Sequence, residues 1–177
     1  MVCICQIIFV SLRTFCEQKK KKQGMGLFFK RQNNNIIEEV KDFLVNELFV
    51  SKVAYSRGEA NVEDKLLAQL KEKFGDYPVT NQCRVGDKLK LKCDFDLFNK
   101  QCGIELKLAH SLESNAGEFQ RAIGQIACYA HEDYKDTGVI LLVVGDGEIS
   151  DKIKELQAIV KIFQNVHFVY KQAQYKR

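Results

Sequence analysis

Residues 93–107 read Cys93-Asp94-Phe95-Asp96-Leu97-Phe98-Asn99-Lys100-Gln101-Cys102-Gly103-Ile104-Glu105-Leu106-Lys107, and their pattern is that of a β-hairpin. On the first arm Lys90, Lys92, Asp94 and Asp96 alternate with Leu89, Leu91, Cys93, Phe95 and Leu97. On the second, Gly103, Glu105 and Lys107 alternate with Ile104 and Leu106. A period of two sorts side chains onto opposite faces of a strand. With Asn99-Lys100 as a two-residue turn, Asp94 falls opposite Glu105, and Lys92 opposite Lys107. Two or three carboxylates and a lysine then share one face, and the other face is apolar. Carboxylates this close repel one another unless a divalent cation or a lysine lies between them, or one of them holds a proton.

Working outward, residues 36–56 carry apolar side chains at helical spacing (Ile36, Ile37, Val40, Phe43, Leu44, Leu48, Val53), and Gly58 ends that run. A second helix is predicted from Asn61, an N-cap residue type, with Glu63 and Asp64 in its first turn, where the helix dipole favours acids. Its stripe is Leu66, Leu67, Leu70 and Phe74, and Gly75 stops it. Residues 77–84 read as extended, Gly86-Asp87 as a turn, and residues 88–98 and 102–109 as the hairpin arms. A loop through Ser111, Ser114, Asn115 and Gly117 leads to a helix over residues 118–131. Val139-Ile140-Leu141-Leu142-Val143-Val144 is an unbroken apolar run, the pattern of a strand covered on both faces. Residues 150–159 read as a helix and residues 166–170 as a last strand. The fold class is α/β, an α+β arrangement on a mixed sheet. Its core runs helix-strand-strand-strand-helix-strand, preceded by an N-terminal helix and followed by a helix and a strand.

The chain has 177 residues, enough for one domain with a real core, and a single proline, Pro78. Residues 1–35 differ from the rest. Arg13, Lys19 to Lys22, Lys30 and Arg31 against Glu17 give that segment +6, which leaves −2 for residues 36–177 out of a net +4. The expectation is an irregular N-terminal extension over residues 1–35 and one domain over 36–177. Attraction to nucleic acid must then come from a local patch or from the arm. The apolar run over residues 1–10 is too short to span a bilayer, and its basic residues follow it, whereas those of a signal peptide precede the apolar run. Stable membrane insertion is not expected. The seven cysteines form no CxxC pair and no zinc-ligand spacing, which fits reduced thiols and a cytoplasmic protein.

Asp94 on one strand, Glu105-Leu106-Lys107 on the next, and the order of elements around them resemble the PD-(D/E)XK, or restriction-endonuclease-like, nuclease superfamily. The proline usual before the family's aspartate is Cys93 here. The match covers residues 61–145. The resemblance implies a metal-dependent nuclease acting on DNA, with Mg²⁺ (or Mn²⁺) held by Asp94, Glu105 and the backbone carbonyl of Leu106. Asp96 is the alternative to Asp94, since both point the same way on the strand. Lys107 would orient or deprotonate the attacking water. Glu63 matches by location a helix glutamate that reaches the metal in many members. In Gln120-Arg121-Ala122-Ile123-Gly124-Gln125-Ile126-Ala127-Cys128-Tyr129, Gln125 is the first choice for the family's helix glutamine and Gln120 the second. Arg121, Gln125 and Tyr129 would form one polar stripe, and Gly124 would let the helix pack closely on the sheet. Cleavage of both strands of a duplex would call for a homodimer.

A second reading keeps the fold without the chemistry, as a nucleic-acid-binding or protein-assembly domain. The slightly acidic core favours it, because duplex binding depends on neutralised phosphates. The intact Asp94, Glu105 and Lys107 oppose it. Of the histidines, His110 follows the Glu-x-Lys strand closely; His131 and His167 are scattered.

Overall fold

The apolar run of residues 139–144 sets the centre of the molecule. The computed structural model describes residues 36–75, 77–86 and 91–175. There the run is strand β4 (Val139–Gly145), buried along its whole length. Ile140, Leu142 and Val144 enter one apolar cluster, and Val139, Leu141 and Val143 enter another. Unbroken hydrophobicity along a strand is stable only where both faces are covered.

The other elements follow in chain order. Residues 36–42 are α-helical and continue into a π turn at Phe43–Glu47, together α1. Then come α2 (Lys52–Ser56), α3 (Glu59–Phe74), β1 (Val79–Val85), β2 (Leu91–Leu97), β3 (Cys102–Leu108), α4 (Ala109–Ser114) and α5 (Ala116–His131). After β4 the chain forms α6 (Asp151–Val160) and β5 (Val166–Gln172). The five strands lie in the order β1-β2-β3-β4-β5. The first three are antiparallel, and β3, β4 and β5 run parallel. Parallel neighbours need crossovers, and α4–α5 and α6 supply them. Residues of α1–α3 pack into the first cluster and those of α4–α6 into the second. The architecture is a mixed α/β sheet with helices on both faces.

The differences from the sequence reading have local causes. The predicted single helix over residues 36–56 breaks at residues 48–50. There the backbone leaves the helix to pair with the end of β5: Gln174 N donates to Val50 O (2.8 Å) and Lys52 N to Gln174 O (2.9 Å). Ser51 then caps α2 by accepting the Ala54 N–H. Helix α3 starts at Glu59, not Asn61, because Gly58 adopts φ +99°, a turn that side chains disfavour. Asn61 lies inside the helix and donates to Arg57 O. Where a loop is predicted after β3, Ala109 and Leu112 bury into the second cluster and hold α4 in place. Asn115, part of that loop, caps α5 by accepting from Gly117 N and Glu118 N.

The hairpin has the predicted register, with Phe95↔Ile104, Asp96↔Gly103 and Leu97↔Cys102. Its turn is larger than two residues. Residues 98–101 form the loop, with Phe98, Asn99 and Lys100 at φ +59°, +54° and +66°. Non-glycine residues in this region are strained. The conformation is held by Asp96 Oδ1, which accepts the Lys100 N–H (2.9 Å), and by Phe98 packing on Phe74 and Tyr77.

The predicted two-face alternation of β2 fails at Asp94. Phe95 and Leu97 pack in the first cluster, whereas Leu91 and Cys93 pack in the second. Strand β1 switches in the same place, with Val79 against the first cluster and Val85 in the second. The ladder between the strands skips one pair there, Gln82 and Asp94, and Gln82 sits at φ +53°. The flip turns Asp94 out of the regular pleat and toward Glu105 and Lys107 of β3. Residues 1–35, Asp87 and Lys88 to Lys90, on which sequence expectations also fall, lie outside the described residues. Among the described residues no helix is long and apolar enough to cross a membrane.

Candidate active site

Beyond Phe95↔Ile104 the ladder between β2 and β3 ends. The amide that a ladder partner would otherwise engage, Leu106 N–H, donates to Asp94 Oδ2 at 2.7 Å. On its other edge β3 stays paired with β4 from Gly103↔Val139 to Leu108↔Val144. Strand β3 is therefore rigid where Glu105 and Lys107 project, and Asp94 is tied to it by one charge-assisted hydrogen bond.

Four oxygens converge on the Lys107 ammonium. It lies 2.7 Å from Glu105 Oε1, 3.4 Å from Glu59 Oε1 and 4.0 Å from Asp94 Oδ2. It also donates to the carbonyl of its neighbour Leu106 at 2.8 Å. The expected trio of Asp94, Glu105 and the Leu106 carbonyl is thus brought together around the expected lysine. Glu105 is fully buried, and Lys107 is 4 % exposed.

Glu105 is also under-satisfied. Its Oε1 is ion-paired with the Lys107 ammonium at 2.7 Å, and neither oxygen has a well-directed hydrogen bond of good geometry. The nearby Tyr129 hydroxyl interacts with Glu105, but its one proton is shared with Lys92 O (2.5 Å). That hydroxyl also accepts from Gln125 Nε2 at 3.2 Å, and Gln125 Oε1 is a further buried acceptor without a partner. Buried acceptors left unpaired cost about 1–3 kcal/mol each, more for charged groups. Glu105 and Gln125 Oε1 form an electron-rich lining beside Tyr129, offset chiefly by the Lys107 ammonium.

Burial is the main force on the titrations. It pushes the Glu105 carboxyl up to about 7, against the opposing pull of Lys107. Asp94 is raised for the same reason, with Lys107 and the Leu106 N–H pulling it down. For Lys107 burial acts downward, but the charges of Glu105, Glu59 and Asp94 outweigh it and hold the ammonium above its usual range. Lys107 is therefore a resident cation.

The remaining sequence candidates divide. Glu63 reaches the site through Gln82, whose amide donates to Glu63 Oε1 (2.9 Å) and Asp94 Oδ1 (3.3 Å). Glu59 touches Lys107 directly, and the sequence reading missed it because it placed the helix start two residues too late. Asp96 does not join the cluster; its Oδ1 accepts from the Tyr134 hydroxyl and Lys100 N, both at 2.9 Å. Gln125 is buried beside Tyr129, whereas Gln120 is exposed. The predicted polar stripe on α5 is not one face: Arg121 is exposed and pairs with Glu118, while Gln125 and Tyr129 are interior. Gly124 is exposed, and a Cβ there would meet nothing within 4 Å, so it does not serve close packing on the sheet. Lys92 is exposed on β2, and His110 pairs with the Tyr55 hydroxyl through Nδ1 at 2.9 Å.

Among the described residues no three His, Cys, Asp or Glu side chains come together as a metal-holding group. The convergent oxygens are two carboxylates and a main-chain carbonyl, with Glu59 at their edge. Compared with family models, curated proteins and solved structures, the chain matches none.

Proposed function

We propose that this protein is a metal-dependent nuclease with a restriction-endonuclease-like core, hydrolysing phosphodiester bonds in DNA. The observation that carries the reading is Glu105. It is a fully buried carboxylate whose counter-charge is the Lys107 ammonium at 2.7 Å, set beside Asp94 and the Leu106 carbonyl. In a purely structural core an apolar pair of similar size would be cheaper to bury than this carboxylate–ammonium pair. The order of elements supports the reading too: a helix, three antiparallel strands, a helix, then a strand parallel to the third.

The residues fit a divalent cation. Mg²⁺ or Mn²⁺ takes hard oxygen donors and keeps several waters, so two carboxylates and a carbonyl suffice. Asp94, Glu105 and Leu106 O would hold it, and when bound it supplies a Lewis acid for the phosphate and a more acidic water. Lys107, displaced from the point where those oxygens meet, positions the attacking water and offsets charge growing on the phosphate. Glu59 and Gln82 keep Lys107 and Asp94 in place, and Tyr129 with Gln125 walls the rear of the site. The slightly acidic domain is the one feature that favours a binding module instead, and the intact carboxylate–lysine cluster outweighs it.

The test is cleavage of linear, circular, branched and single-stranded DNA with Mg²⁺ or Mn²⁺ by the wild type, Glu105→Ala and Lys107→Ala. The reading expects metal-dependent cleavage that both substitutions abolish. Binding to DNA without cleavage by the wild type would move the protein to the binding-module class.

A further inference from the structure

A cleft of about 550 Å³ opens at the carboxyl ends of the parallel strands, beside the carboxylate–lysine site but sharing none of its residues. Its walls come from α2, from His110 just after β3, from Asp146 just after β4 and from Tyr175 after β5. Open α/β sheets bind ligands outside the carboxyl ends of their strands, and this cleft lies there. Two contacts tie cleft and site to the same two segments of chain: Tyr55 to His110 at 2.9 Å and Glu59 to Lys107 at 3.4 Å. The partners lie four residues apart on one segment and three on the other.

We propose that this cleft holds one unpaired nucleotide of a DNA strand whose neighbouring phosphate lies at Lys107. The inference rests on the nuclease reading and adds that the substrate is single-stranded there. Three features of the cleft carry it. Tyr175 offers an aromatic face, 76 % exposed, with the Lys52 ammonium 4.9 Å from its ring centroid. Beside it Val53 is 58 % exposed. An exposed ring with an adjacent cation suits a base that has left its stack, and a base inside a duplex cannot reach it. Next, Lys52 and His110 line the cleft as donors for phosphate oxygens. The Tyr55 hydroxyl takes up His110 Nδ1 and fixes the ring edge-on, leaving Nε2 as its remaining polar atom. Asp146, also in the lining, accepts hydrogen bonds and so suits an exocyclic amine of a base.

Charge points the same way. Residues 36–177 carry −2, too little positive charge to grip duplex phosphates over a long track. Stacking at a short site does not need such a track.

The experiment is fluorescence anisotropy of a labelled oligodeoxynucleotide, single-stranded or annealed, with the full chain in chelator so that nothing is cut. Wild type, Tyr175→Ala, Lys52→Ala, Glu105→Gln and the remote control Ile162→Ala are compared. Any contribution of Lys19 to Lys22 is common to all. Loss of one base–ring stack is worth about 1–3 kcal/mol, so Tyr175→Ala should weaken single-strand binding about tenfold. Lys52→Ala should weaken it in the same direction, and Ile162→Ala should not. Equal affinity of wild type and Tyr175→Ala, or a preference for duplex, overturns the inference. Binding that depends on Tyr175 in a protein that never cleaves DNA would sink the nuclease reading and leave this one standing. Cleavage with Tyr175-independent binding would do the reverse.

Discussion

Replacing Glu105 by glutamine should stabilise the metal-free protein above neutral pH. The folded carboxyl is pushed up to about 7, from an ordinary value of 4.5, and burial is the leading cause. A group with a raised folded pKa binds more protons when native than when unfolded. Its contribution is therefore most favourable below pH 4.5 and declines as pH rises to 7, after which it is flat. The steepest loss from one such group is about 1.4 kcal/mol per pH unit, and across this window the total is on the order of 3 kcal/mol. Glutamine has no such slope. His167, whose pKa is lowered by burial, acts oppositely near its usual range but identically in both proteins, so it cancels in the difference. The assay is urea denaturation at several pH values in chelator. The wild-type-minus-variant stability should fall steadily between pH 4.5 and 7. A difference that does not change with pH would refute the argument that burial dominates at Glu105. The same logic makes added Mn²⁺ stabilise the wild type more than the variant, since only the carboxylate supplies the second negative ligand.

Three further outcomes follow from the geometry. Lys107→Ala removes the resident ammonium from its point of contact with Glu105 and Leu106; calorimetric titration should show tighter Mn²⁺ binding than in the wild type, alongside lost cleavage and lower stability in chelator. Gly103→Ala would put a Cβ 2.9 Å from the Tyr134 ring; thermal denaturation should show a loss of about 1–3 kcal/mol from overpacking. Tyr134→Phe removes the hydroxyl that donates to buried Asp96, and the same assay should show a loss of about 1–3 kcal/mol, with cleavage retained because Asp96 is outside the cluster.

Much of the fold was legible because burial writes directly into sequence. The run of residues 139–144 is uniformly apolar since β4 is covered twice, and the hairpin register survives because Phe95, Ile104 and Leu97 must meet the first cluster together. The site was legible where it lies on that hairpin: Asp94, Glu105 and Lys107 come together around one point. What escaped depends on conformations that residue type does not announce. Gln82 at φ +53° is a non-glycine in left-handed backbone, and the face switch at Asp94 turns on it. The start of α3 depends on Gly58, and a shift of two residues brought Glu59 to Lys107 and left Glu63 a turn behind. The break at residues 48–50 follows from pairing with Gln174, far along the chain, which no local window contains. Gly124 misled in the other direction, a glycine on a helix face with nothing close to accommodate.

The most direct measurement is hydrolysis of circular DNA, single-stranded and duplex, by the wild type and Glu105→Gln, each with Mg²⁺, Mn²⁺ or chelator. The account predicts cleavage by the wild type only when metal is present, strongest on the single strand, and none by Glu105→Gln in any condition. A wild type that never cuts, or a Glu105→Gln protein that cuts as well as the wild type, would contradict it.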